Sequence, residues 1–534
     1  MDFDYVIVGG GSSGCVLAAR LSEDPAVRVA LVEAGAPDDG ILIKAPLGVA
    51  VMVPSPINNW AFGTEPQPAL NGRRGYQPRG KALGGSSSIN AMIYMRGDRA
   101  DYDEWASLGA TGWGWNDVLP YFLRAENNER GAGPLHDEGP LHAVGGPLNV
   151  ADVRTPNPFA KVFVEAALQA GISANDDFNG VTQEGAGFYQ VTQKNGERWS
   201  AARAYLHPAM QLPNLAVLTK SNALRILFEG KRATGVEIER AGKTETLRAA
   251  REVLVAAGAF QSPQLLMCSG IGPADHLRER GIGIVCDSPE VGGNLQDHLD
   301  YIVNRRIGST DLLGLSAGGG IHLLREILRW RSERRGVVAS NLAESGAFVK
   351  SEPGLARADL QLHFVIGMVD NHGRSRHLGH GLSLHSCVLR PKSRGTVRVS
   401  GPDMRSPPVI DPKFLSAAED MEGMKRGFKL VRRILDAPAF AQFNARELYT
   451  AGVKTDVEIE AAIRERADTI YHPVGTCRMG SDAQSVLDPQ LRVRGVEALR
   501  VVDCSVMPTL IGGNTNAPAI MIGEKAADLI RAAA

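Results

Sequence analysis

The first thirty-five residues alternate between apolar runs and punctuation. Residues 5–8 (YVIV) are β-formers, three glycines follow at once, residues 15–21 continue with helical character, and residues 27–32 form a second apolar run ending at Glu33. That pattern predicts strand, tight turn, helix, strand. REVLVAAGAFQSP (251–263) repeats the theme of a strand running into a small-residue turn. Between 301 and 468 the texture changes. DLQLHFVIG alternates in the manner of a strand with two unlike faces, and PPVIDPKFLSAAED (407–420) supplies prolines and a helix start. In LQLHFVIGMVD (360–370), Phe364, Ile366 and Met368 share one face, which is either sheet core or the wall of an apolar site. IHLLREILRWRSERRG (321–336) sets Leu323, Leu324, Ile327, Leu328 and Trp330 against Arg325, Arg329, Arg331, Arg334 and Arg335. This reads as a basic amphipathic helix, either a solvated cover or a seat on a membrane surface.

The glycine turn carries chemistry. Gly9, Gly11 and Gly14 fit G-x-G-x-x-G between strand and helix. In such a turn the first glycine makes the bend, the second lets backbone approach a pyrophosphate, and the third lets helix pack on strand. The helix N-terminus then faces the phosphate charge, and an acid about twenty residues on, here Glu33, accepts from ribose hydroxyls. Gly10 to Gly14 also spell G-x-S-x-G, which would make Ser12 a hydrolase nucleophile and His472 its partner. Such an elbow normally follows several strands, no H-G-G-G segment is present, and Glu33 would have no purpose. The hydrolase stays as an alternative.

Composition narrows the partners. A chain of 534 residues with 44% hydrophobic and 22% charged residues supports roughly three or four domain-sized units. Lys plus Arg (58) nearly cancel Asp plus Glu (59), so no global field draws the protein to nucleic acid or to an anionic membrane, and partners must be argued from local features. The six cysteines are scattered without a C-x-x-C pair, which argues against a disulfide framework or structural zinc. The opening MDFDYVIVGGG has acids where a secretory leader carries basic residues. A soluble cytoplasmic protein is expected, peripheral on the inner face of the membrane if the 321–336 helix seats there.

PRGKALGGSSSINAMIYMRG (78–97) is a second glycine cluster, offering backbone N–H groups and hydroxyls to a phosphate or a polar ring edge. With GAFQSPQLLMCSGIG (258–272), VGGNLQDHLD (291–300), YHPVGTCRMG (471–480), VVDCSVMP (501–508) and GGNTNAPAIMIGEKAADLI (512–530), it resembles the glucose–methanol–choline (GMC) family of FAD-dependent oxidoreductases. FYQVTQKNGERWSAARAYL (188–206) and LRPKSRGTVRVSG (389–401) are similar to the bacterial acceptor-linked alcohol and choline dehydrogenases within it.

The resemblance implies a discontinuous Rossmann-like α/β FAD domain with an inserted α+β substrate domain on an antiparallel sheet. The FAD domain would take 1–155, 211–300 and 469–534, and the substrate domain 156–210 and 301–468. It implies oxidation of a primary alcohol, with His472 as base, Asn516 as its partner, and hydride passing to flavin N5. A hydroxyl is too weak an acid to lose its proton unaided near neutral pH, and a histidine can take it. Cofactor contacts are expected from Gly9, Gly11, Ser13, Gly14, Glu33, Trp60, Gly84, Gly85, Ser86, Asn90, Ala91, Ile93, Ala223, Tyr471, Asp503, Asn514 and Thr515. Some relatives bind FAD covalently through a histidine just before the asparagine. Here that position is Ile89, so the FAD is expected to be non-covalent. No metal site is expected, since His472 and Cys477 find no further ligand at sensible spacing. Electrons would go to an acceptor other than oxygen, a membrane quinone being one candidate. An oxygen-using oxidase and a non-redox lyase of the same fold are the remaining alternatives.

Overall fold

The computed structural model describes residues 1–133, 135–136 and 139–533. Its first sheet has a parallel centre. Leu215–Leu218, Val29–Val32, Asp2–Val8 and Lys243–Val255 lie side by side in that order, and Leu499–Val501 adds to the far edge of the last. Val29–Val32 is buried at every position, as a parallel strand covered on both faces must be. The thirteen-residue strand Lys243–Val255 reaches beyond the parallel centre: its start pairs antiparallel with Arg232–Arg240, which in turn pairs antiparallel with the preceding strand Ser221–Glu229. Helices Ser12–Leu21 and Asn516–Ala533 pack on each other against this sheet.

The second sheet is antiparallel. Its order is Arg446–Glu447, Leu299–Arg306, Gly379–Val388, Leu360–Val365, Ser345–Val349, Gly185–Phe188, with Gly314–Leu315 and Asp468–Thr469 attached at its margins. Helices Pro158–Gln169 and Ala418–Leu435 cover one face, so a segment preceding residue 210 shares a core with strands beyond residue 299. Alternation along Leu360–Val365 sorts its side chains. Leu360, Leu362 and Phe364 join the helix-side core, where Phe364 stacks on Phe163 at 5.2 Å. The wall-of-site reading of Phe364 and Ile366 is therefore overturned: both are fully buried in that core. The opposite face presents Gln361 and His363, and it is this polar face that looks toward His472. Among the described residues no helix is long and apolar enough to cross a membrane.

Candidate active site

A cavity of about 280 Å³ opens at the carboxyl ends of the parallel strands. Gly9, Gly11, Ser12 and Ser13 contribute from the first turn, Glu33 from the end of the second strand, and Gly85 and Ser86 from the second glycine cluster. The two glycine turns touch backbone to backbone: Gly84 N–H donates to Gly10 C=O at 2.7 Å, and a Cβ on Gly85 would stand 2.7 Å from Gly11 Cα. Gly14 meets the first turn equally closely, since a Cβ there would lie 1.9 Å from Gly9 O. Only glycine permits either approach.

His472 lies beyond this cavity, 7% exposed, between the two sheets' contributions. Its Nδ1 is 2.9 Å from Nδ1 of His298, and His298 Nε2 is 3.2 Å from the carbonyl of Leu389. A carbonyl only accepts, so His298 Nε2 carries a proton. Burial pushes His298 down to about 3, so the ring is neutral and its Nδ1 is a bare acceptor. His472 must then donate from Nδ1, which leaves its Nε2 with a free lone pair.

The other side of the ring gives the same answer. Asn514 Nδ2 lies 3.1 Å from His472 Nε2, while Asn514 Oδ1 accepts from Gln361 Nε2 at 3.0 Å. The amide oxygen being spent on Gln361, the NH₂ group faces His472 and needs an acceptor there. Burial, with the neighbouring His298 and His363 adding to it, holds His472 well below the usual histidine range. Its backbone N–H donates to Asp297 at 2.8 Å, and burial pushes that carboxyl up to about 6.

A family model described as GMC oxidoreductase matches residues 3–300, and a second with the same description matches 391–523. The chain belongs to the GMC oxidoreductase family. An alcohol dehydrogenase [acceptor] of Pseudomonas putida is 48% identical to it over 531 residues, covering 99% of this chain and 95% of the relative. An oxygen-dependent choline dehydrogenase of Brucella ovis is 44% identical over 534 residues, covering 99% and 96%. Among solved structures, a pyridoxine 4-oxidase from Mesorbium loti superposes with a TM-score of 0.87 at 32% identity and 98% coverage of each chain. An arginine-to-alanine variant of the formate oxidase from Aspergillus oryzae, studied for the effect of that mutation on FAD modification, gives 0.91 at 27% identity, covering 100% of this chain and 98% of its own.

The residues of this GMC oxidoreductase fit FAD. Helix Ser12–Leu21 begins at the cavity with Gly11 as N-cap and no side chain capping it, so its first amides are offered to a phosphate. Glu33 lines the cavity with each carboxylate oxygen already accepting one backbone N–H, from Gly10 at 2.8 Å and Gly35 at 2.7 Å. Each oxygen keeps a lone pair for a ribose hydroxyl. Burial raises Glu33 to about 7. Asp503 is held by Gly258 N–H, Ser262 Oγ and Ser505 N–H, at 2.9, 2.5 and 2.7 Å. Trp60 lies under Lys81 Nζ at 4.0 Å, and Ala223 lines the same cavity. Ile89 packs with Ile43, Met52 and Ala82, an apolar nest with no nucleophile, and the FAD is held without a covalent bond from that position.

The expected contacts divide in two. Gly9, Gly11, Ser13, Glu33, Trp60, Gly85, Ser86, Ala223 and Asp503 line the cavity; Gly14, Gly84, Asn90, Ala91, Ile93, Tyr471, Asn514 and Thr515 do not. Gly14 and Gly84 act beneath it, through the backbone contacts given above. Asn90 Oδ1 accepts from Arg198 and from Met92 N–H, Ala91 C=O accepts from Asn341, and Ile93 is buried beside Met95 and Tyr189. Tyr471 Oη meets His372 Nδ1 at 2.7 Å. Cys504 Sγ reaches Thr515 C=O at 3.7 Å.

One expectation is corrected. Asn516 does not supply the bond to His472; its Oδ1 accepts from Ser12 Oγ at 2.8 Å, and Asn514 takes the position beside the histidine. The reason is local. Asn516 opens helix Asn516–Ala533 and its side chain lies against the neighbouring helix start, whereas Asn514 precedes the helix and reaches across. Ser12 thus bonds to the Asn516 amide, and the side chains beside His472 are those of His298 and Asn514, so the Ser12–His472 pair of a hydrolase is not assembled. Among the described residues no cluster of His, Cys, Asp and Glu can hold a metal. His298, Gln361 and Asp297 were not singled out from sequence. His298 sits inside a quoted motif, yet nothing in its neighbours signals a partner 174 residues away.

Gly11 has extended backbone (φ −79°, ψ −164°), and a Cβ there would meet only Ala256 O, at 3.9 Å. Gly11→Val is therefore expected to fold but to place its side chain in the cofactor's path, weakening FAD binding by about fivefold to 150-fold if the overlap costs about 1–3 kcal/mol. Flavin absorbance per mole of purified protein, with far-UV circular dichroism as the folding control, checks this; full FAD content would contradict it.

Proposed function

We propose that this enzyme, an FAD-dependent alcohol dehydrogenase, oxidises a primary alcohol to the aldehyde, with His472 Nε2 as the base and Asn514 as the donor to the reacting oxygen. The observation that carries the reading is the polarised chain Leu389 C=O, His298, His472, which leaves one bare nitrogen facing an amide NH₂. An alcohol hydroxyl placed between Nε2 and Asn514 Nδ2 gives its proton to the first and accepts from the second. Burial keeps the ring neutral and able to accept until an alkoxide forms beside it, and the charge of that alkoxide then favours the cation. FAD, when bound, supplies the acceptor for the hydride leaving the α-carbon.

In this reading the substrate domain comprises 156–210 and 301–468, the FAD domain the remainder. The polar strand face of Gln361 and His363, with Tyr189 5.8 Å from the His363 ring, forms the wall opposite the cofactor. The likeness to a relative named for an acceptor supports electron transfer to a separate acceptor, and the likeness to one named oxygen-dependent keeps oxygen as the alternative.

The test is an anaerobic visible spectrum of the holoenzyme before and after a panel of primary alcohols. Bleaching of the oxidised flavin bands by one alcohol class, with slow recovery in air and fast recovery with a quinone or dye, is the expected result. Bands unmoved by every alcohol would refute alcohol oxidation, and rapid recovery in air would replace dehydrogenase with oxidase.

A further inference from the structure

Helix Ala317–Glu333 is anchored along one side only. Trp330, 2% exposed, packs with Ala45, Val338 and Ala339 and donates from Nε1 to Gly196 C=O at 2.8 Å. Leu323 packs into the same cluster, and Glu326 turns inward to accept from Val337 N–H at 2.8 Å. The N-cap, Ser316, is tied to the antiparallel sheet through His380 Nε2 at 2.7 Å. These bonds fix the rotation of the helix about its own axis.

The side left over is apolar. Ile321, Leu324 and Leu328 follow helical spacing on the face opposite Trp330 and are 58%, 61% and 59% exposed. Leu315, directly before the N-cap, and Leu378, which it meets through a β-bridge, extend the apolar surface past the helix start. Large aliphatic side chains held out in water in one stripe mark a surface meant to be covered. Around the stripe stand Arg325, Arg331 and Arg335, all exposed and, among the described residues, without a carboxylate partner. Glu333 is engaged by Arg329 at the helix end.

We propose that this face docks on an anionic phospholipid bilayer, with Ile321, Leu324 and Leu328 entering the headgroup boundary and the three arginines meeting lipid phosphates. Charge decides for lipid over self-association. A two-fold contact through this face would bring arginines against arginines with no free acid to answer them, whereas an anionic surface gains from each.

The test is flotation of the holoenzyme with phosphatidylglycerol/phosphatidylcholine vesicles, with pure phosphatidylcholine for comparison. Wild type is expected to float with the anionic vesicles, less with the neutral ones, and less at high salt. L324S/L328S and R325E/R331E, both retaining flavin absorbance and reduction by alcohol in solution, should each lose binding by about tenfold or more. Absence of flotation by wild type, or flotation of both variants undiminished, would overturn the proposal. So would light scattering that shows a wild-type dimer and an L324S/L328S monomer, neither binding lipid. Flotation does not depend on turnover, so its outcome is separate from that of the alcohol panel.

Discussion

His472→Ala is expected to slow reduction of the enzyme by alcohol by about 10²–10⁴-fold, the usual contribution of a positioned base, while leaving FAD bound. The two effects separate because His472 lies outside the cavity that Gly11, Glu33 and Asp503 line. Anaerobic stopped-flow reduction, with flavin content measured on the same sample, reads both. The pH dependence adds a sign. The base must be neutral to act, and burial holds His472 below the ordinary histidine range, so the wild-type rate should remain on its plateau as pH falls through ~6.5. Its acid limb belongs lower. Near-normal reduction by His472→Ala would end the base assignment; an acid limb centred near ~6.5 would mean that the ring is not desolvated as described.

Asn514→Ala should cost about 10²–10³-fold in the same measurement, the scale for removing one donor aimed at a developing oxyanion. Two losses combine: the donor itself, and the support that Gln361 gives it at 3.0 Å. Asn516→Ala should leave reduction by saturating alcohol within a few-fold, because its side chain bonds Ser12 rather than His472. A large loss from Asn516→Ala with little from Asn514→Ala would restore the assignment made from sequence and refute the structural one. Asn514→Asp is a sharper control, since a carboxylate beside Nε2 offers no donor to the substrate and favours the protonated ring.

This pair shows where sequence reading stops. Two asparagines two residues apart in NTNAP are chemically alike, and only the position of the helix start, at Asn516, tells which one faces inward. Helix boundaries are the least legible feature of a sequence, so the motif and both asparagines are legible while their separate roles are not. The glycine turn and Glu33 were legible because their chemistry is local: strand, turn, helix and acid lie within one short segment. Alternation over 360–365 announced a strand, but nothing in it said which face would meet the covering helices; the stacking of Phe364 on Phe163 decided that. The basic helix was legible too. Its apolar residues, however, occupy two sides, with Trp330 and Leu323 inward and Leu324 and Leu328 outward, and a one-dimensional pattern cannot separate a core face from a docking face.

The touching glycine turns belong to a site assembled from pieces far apart in the chain. The cavity takes its floor from 9–13, one wall from 85–86, another from 256–261, and its closing side from Asp503, Cys504 and Ala519. During synthesis the first strand, turn and helix emerge long before Lys243–Val255 fills the centre of their sheet, and before helix Asn516–Ala533 covers them. Contacts of such sequence separation form late. The phosphate-binding turn therefore remains an unfinished half-site, its apolar strands uncovered, until those later segments have joined it.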